Sequence, residues 1–200
     1  MQDVIARYQV QRVVDAGMLH PTLAYARWRG TLDARNLLYT QVRQGALIAL
    51  GKQVAFQVLW PPAHLRKSSS ETHDNALILR LLAPGLRLLL LNSAALSDYA
   101  LHTLSISLAP TYVQAEIVQF TGEQGKAFPA TLTDMLRLAH PSLLLLTTTP
   151  ARQRKSTTQR ATTADPPSLP AGPWEVLHGD QAGSLELQSD EYGWDIHLSG

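Results

Sequence analysis

Arg27, Arg29, Arg35, Asn36, Tyr39 and Arg43 crowd into one short stretch, with Lys52 following and Asp33 the one acid among them. Guanidinium and carboxamide groups can engage base edges in pairs, and arginine and lysine neutralise phosphates. These residue types therefore suit contact with a polyanion, duplex DNA in particular. Arg35, Asn36, Tyr39 and Arg43 are the candidates for base edges.

Other constellations are poorer in chemistry. His64 with His73-Asp74 supplies too few ligands for a zinc site and falls in a Ser-rich, charged segment. Ser93, Ser97 and Ser105 lack the Gly-x-Ser-x-Gly turn of a hydrolase nucleophile. Gly122-Glu-Gln-Gly125-Lys126 lacks the spacing and the following Ser/Thr of a phosphate loop, and reads as a turn. Trp174 and Trp194 read as packing anchors. No cofactor and no metal site is expected.

The candidate residues need elements to carry them. A first helix is expected over residues 3–15, from Val4, Tyr8 and Val13-Val14 at helical spacing, with Gly17 as its stop. His20-Pro21 opens a second helix, proline being welcome in a first turn. Thr31 or Asp33 caps a third through Gln44, burying Leu37, Leu38 and Val42, and Gly45 ends it. Alternation over residues 46–58, broken at Gly51-Lys52, predicts a hairpin, and Trp60-Pro61-Pro62 closes the unit. A supporting helix, a second helix rich in Arg, Asn and Tyr, and a hairpin resemble the winged-helix DNA-binding domain. That resemblance implies a recognition helix over residues 33–44, with Arg35, Asn36, Tyr39, Gln41 and Arg43 on or near its exposed face. It also implies a wing on which Gln44, Lys52 and Gln53 reach phosphates, with Arg27 and Arg29 adding to the backbone grip.

Residues 75–82 suit helix or strand equally, and 86–91 read as a buried strand. Leu104, Ile106 and Leu108 alternate with serines, and Val113, Ala115 and Ile117 with Gln114 and Glu116. Both are half-buried strand patterns, expected to pair around Pro110-Thr111. A helix is expected over 129–139 and a buried strand over 142–148. Residues 150–173 hold Thr, Ser, Pro, Arg and Ala and read as a flexible basic linker. Runs at 174–177, 184–188 and 194–198 predict a three-stranded meander, marginal unless packed against a larger body. The expected organisation is thus 1–62, a winged-helix unit; 63–149, an α/β core; 150–173, linker; and 174–200, an acidic β-meander. The fold class is α+β.

The near balance of 17 basic and 16 acidic residues conceals strong asymmetry. Residues 1–70 hold nine Lys/Arg against three Asp/Glu, a net of +6; residues 173–200 hold none against six, a net of −6. A polyanion partner at the front is implied, with the tail placed to mask it. Thirteen arginines to four lysines also suggest a GC-rich genome, so composition bias supplies part of the arginine signal. The absence of cysteine excludes disulfides and thiolate metal sites. With no basic-then-apolar leader, and with Ala76–Leu91 interrupted by Arg80, Pro84, Gly85 and Arg87, the reading is a soluble cytoplasmic protein without membrane contact.

Glu71-Thr72-His73-Asp74-Asn75, residues 116–123, and residues 142–149 with Arg152 behind them also resemble the replication-relaxation family. These are winged-helix proteins encoded near plasmid mobilisation genes. The family continues from its wing through a His-Asp segment into a core like that of restriction endonucleases. Such a nuclease needs one acid at a strand end, then a second acid and a lysine two residues apart to hold metal and water. Asp98 can stand for the first, but Glu116 is followed two positions on by Val118. The resemblance therefore implies a degenerate core used for binding or dimerisation. A non-catalytic DNA-binding protein is the leading expectation, a protein-protein assembly module or homo-oligomer the alternative, and a nuclease the least favoured.

Overall fold

In the computed structural model, residues 2–19, 22–91, 97–123, 127–149, 169–179 and 184–199 are described. The expected linker thus lies largely outside them. The chain is α+β. Its N-terminal unit consists of α1 (Gln2–Arg7), β1 (Arg12–Asp15), α2 (Leu23–Ala34) and β2 (Leu38–Gln41), with β1 and β2 paired parallel. Ile5, Val13, Trp28 and Leu32 form its small core.

This arrangement corrects the reading of residues 1–44. The first helix stops at Arg7, and Val13-Val14, β-branched and stiff, lie in a strand with Val13 buried. One helix covers 23–34, opened by the Thr22 side chain, which accepts from Tyr25 N. Thr31 sits inside it, donating Oγ1 to Arg27 O, rather than capping a new helix. Asn36 ends it: its φ of 50° is left-handed, with Asn36 N bonded to Asp33 O and Leu37 N to Leu32 O. The expected recognition helix over 33–44 does not form, and 38–41 are a strand.

The hairpin forms as expected, β3 (Leu47–Ala49) pairing antiparallel with β4 (Ala55–Trp60). It is not a free wing, because β4 continues into β5 (Ile78–Ala83) and β6 (Leu86–Leu91) as an antiparallel meander. Then β7 (Ile117–Glu123), β8 (Leu143–Thr149) and β9 (Glu175–His178) add in parallel, giving a seven-stranded sheet in the order β3-β4-β5-β6-β7-β8-β9. The sheet therefore takes strands from both sides of the boundaries expected at 62 and 149.

The remaining elements are α3 (Glu71–Asp74), α4 (Asp98–Ser107), α5 (Pro110–Val113) and α6 (Thr131–Ala139). One sheet face presents Ile78, Leu89, Leu91, Val118, Phe120, Leu144 and Leu146 to α4 and α6. The strand pair expected over 104–117 is replaced by α4 and α5. The Leu-Ser-Ile-Ser-Leu alternation is coincidental: Ala100, Leu101 and Leu104 are buried at helical spacing, while Ile106 is 71% exposed. Ser97 caps α4, accepting from Ala100 N at 3.1 Å.

The C-terminal meander is also corrected. β9 joins the large sheet, leaving β10 (Ser184–Asp190) and β11 (Gly193–Ser199) as a separate antiparallel hairpin. Leu185, Leu187, Trp194 and Ile196 pack it onto the second sheet face, over Leu86, Leu88, Ile117, Leu143 and Leu145. Leu169 and Trp174 pack against the helix-side core, so the end of the expected linker is anchored. Gly85, at the β5–β6 turn, meets the β10–β11 turn: a Cβ there would lie 2.1 Å from Asp190 O.

Candidate nucleic-acid interface

The N-terminal unit is where the candidate residues lie, and most are tied into its frame. Arg29 lies over the Tyr39 ring, 3.7 Å from its centroid. Tyr39 donates its hydroxyl to Asp15 Oδ1 at 2.5 Å. Burial, and then the Asp15 carboxylate, push the Tyr39 hydroxyl well above its ordinary range, so it stays a proton donor. Asp15 also accepts from Gly17 N, whose φ of 66° suits glycine. The structure thus joins Arg29, Tyr39 and Asp15 into one strut between α2 and the two strands.

Arg35 donates to Ile5 O, tying the end of α2 to α1. Arg43 donates to Ala16 O and to Val42 O, fastening the segment after β2 to the end of β1. Asn36 is exposed but serves as the helix terminator. Arg27 on α2 and Lys52 in the β3–β4 turn face water. The seven candidates are therefore not assembled on one helical face. Arg29, Arg35, Asn36, Tyr39 and Arg43 hold the unit together, and two of them, Arg35 and Asn36, remain exposed as they do so.

Residues 1–70 hold further exposed cations outside the predicted set. Arg7, Arg12, Arg66 and Lys67 are exposed. Arg66 sits 3.6 Å from the Tyr99 ring centroid and 3.6 Å from Asp74 Oδ2. Across residues 1–70, exposed described side chains thus include Arg7, Arg12, Arg27, Arg35, Lys52, Arg66 and Lys67, against Asp33 alone among the acids. Helical periodicity drew attention to 33–44 and away from Arg7 and Arg12; the regional charge sum was the signal that could have found them.

A groove of about 690 Å³ runs between the β1–β2 pair and β3–β5, walled by Val14, Leu38, Ile48, Leu50, Phe56 and Leu79. Arg12 is the one charged residue lining it.

The acids of the nuclease comparison are kept apart. Asp98 begins α4, beyond the carboxyl end of β6, where it accepts from Thr131 Oγ1 at 2.8 Å. Glu116 precedes β7, at the opposite end of the parallel strands, and its carboxylate is held by Arg87 through Nε, Nη2 and the backbone N. Burial raises the Glu116 pKa, but the Arg87 hydrogen bonds outweigh it and leave the carboxyl below its ordinary value. Arg80, on the neighbouring strand, is buried and donates Nη1 to Thr111 O and Tyr112 O. Burial and the charge of Arg87 lower its pKa, with Glu116 opposing.

Asp74 is buried and engaged by Ser68 Oγ at 2.7 Å, while His64 and His73 are exposed. No group of three His, Cys, Asp or Glu suited to a metal occurs among the described residues. Ser97 is spent as a helix cap, and Ser105 donates to His102 O. Ser93 and residues 124–126 lie outside the described residues. No described helix is long and apolar enough to cross a membrane. No family model matches the chain. No curated protein matches it either.

Proposed function

We propose that this chain is a non-catalytic DNA-binding protein that grips the sugar-phosphate backbone through its N-terminal unit and the adjoining β3–β4 turn. The observation that supports this is the excess of exposed cations over exposed acids across residues 1–70. With no helix over 33–44 to enter a major groove, the binding rests on phosphate contacts and carries little base readout. The resemblance to the replication-relaxation family is the ground for placing it in plasmid or mobile-element biology. Fluorescence anisotropy of the full chain with duplexes of equal length and unrelated sequence tests this. Similar affinities at low salt are expected. Failure to bind any duplex at low salt overturns the proposal.

A second reading, a protein-protein assembly module, has its own observation. Leu19, Leu23, Leu38, Leu47 and Leu50 are each more than half exposed in this same region, an apolar content that phosphate contact does not use.

A further inference from the structure

The two edges of the seven-stranded sheet are chemically unlike. β3, at one edge, is Leu-Ile-Ala, with no proline, bulge or charge to discourage pairing. Leu47 is 66% exposed. No described strand pairs with the far side of β3, or with the far side of β9. Ile48 is paired with Phe56 and Leu50 N bonds Val54 O, so the alternation of an antiparallel ladder turns the backbone groups of Leu47 and Ala49 outward. On β9, Glu175 N bonds Ser142 O and Gly179 N bonds Leu146 O, which leaves Val176 and His178 facing outward.

Charge distinguishes the edges. Lys52 follows β3, and Arg12 is the charge lining the groove beside it. At the β9 edge a second groove, of about 610 Å³, runs between β9 and β11, with Val176 and Leu198 in its wall and Glu175 and Asp195 as its charges. Two edges that no described strand covers, each with an apolar groove beside it, thus carry opposite charge.

Strand direction allows the two to meet. β3 runs antiparallel to β4, β4 to β5 and β5 to β6, while β7, β8 and β9 run parallel to β6. β3 is therefore antiparallel to β9. Two copies in the same orientation, placed side by side, present antiparallel strands across the junction, and the sheet continues from one molecule into the next. A two-fold arrangement, β3 against β3, would instead join two edges whose only charges are cationic, leaving Arg12 and Lys52 with no carboxylate to face. The charge pattern decides between them.

We propose that this protein associates head to tail with further copies of itself, β3 of one copy pairing antiparallel with β9 of the next. Lys52 and Arg12 then approach Glu175 and Asp195 of the next copy. The contact is heterologous, so assembly extends beyond a dimer.

Sedimentation velocity of the full chain without nucleic acid tests it, across concentration at low and high salt. Species larger than dimers are expected at low salt, shrinking as salt rises. Arg12→Glu with Lys52→Glu makes both edges acidic, and Glu175→Lys with Asp195→Lys makes both basic. Each variant alone should sediment as monomer, and an equimolar mixture should restore large species. Circular dichroism checks that each folds; Lys52→Glu and Asp195→Lys singly replace a pair that does not. A wild-type chain that stays monomeric at every concentration overturns the proposal. So does a dimer that survives Glu175→Lys with Asp195→Lys, which identifies the two-fold β3 contact, and so does a mixture that restores nothing.

Discussion

Gly85→Ala is expected to loosen the contact between the C-terminal hairpin and the sheet. Gly85 has a φ of 67°, a conformation that costs a non-glycine residue about 1–2 kcal/mol. Its added Cβ would lie 2.1 Å from Asp190 O and 2.8 Å from Gly193 O, both backbone atoms that no rotamer change can move aside. Forcing an extra carbon into a packed contact adds roughly 1–3 kcal/mol. The combined loss, about 2–5 kcal/mol, is a large share of the 5–15 kcal/mol typical of a folded domain. For a chain of this size it should lower the melting temperature by about 10 °C. Hydrogen exchange should show where the loss falls. Amides along 184–199 should exchange faster than in the wild type, while those of α4 and α6, packed on the opposite face of the sheet, keep their protection. A melting temperature within about 2 °C of the wild type, with unchanged exchange in the hairpin, would refute the docking geometry.

Gly30→Ala should act in the opposite direction. Gly30 lies inside α2 with nothing within 4 Å of an added Cβ, so a gain of about 0.5–1 kcal/mol is expected by denaturant titration. Leu104→Ala should cost about 2–5 kcal/mol, and Ile106→Ala no more than about 0.5 kcal/mol, since Leu104 is buried and Ile106 exposed on α4. Equal losses at the two positions would restore the strand reading of that segment. The Glu116 carboxyl is depressed by Arg87, so its contribution is present above its unfolded value, about 4.3, and is lost as pH falls through the folded value. Glu116→Gln should therefore destabilise the protein at neutral pH and flatten its acid dependence below pH of about 4, as read by thermal melts across pH.

Parts of the fold were legible because a local pattern and the tertiary environment agreed. In α6, Leu132, Met135, Leu136 and Ala139 are buried at helical spacing, and the structure follows the pattern. β6 and β8 are covered on both faces, which is why their leucine runs read as buried strands. The β3–β4 hairpin was visible in the alternation broken at Gly51-Lys52. The α4 segment misled because Ser105 and Ser107 give a period of two, while its buried face is set by Ala100, Leu101 and Leu104. Residues 33–44 misled for a different reason. Leu37, Leu38 and Val42 fit a helical stripe, but nothing in that spacing shows that Asn36 adopts a left-handed turn or that β1 waits to pair with Leu38–Gln41. That single turn also redistributes the candidate site. It moves Tyr39 and Arg43 from an imagined recognition helix into a strand and the segment beyond it, where their polar atoms meet Asp15, Ala16 and Val42. The charge asymmetry, by contrast, was legible as a sum over residues and does not depend on which element carries each one.

The central claim is that exposed cations of the N-terminal unit bind the phosphate backbone, and its most direct test is the salt dependence of duplex binding by the full chain. The logarithm of the association constant should fall linearly with the logarithm of salt concentration, by about 0.9 per phosphate contacted. Arg7→Ala and Arg27→Ala, both at exposed side chains, should each lower the slope by roughly that amount and weaken binding alike for every sequence. A slope near zero, or one that neither substitution changes, would contradict the account.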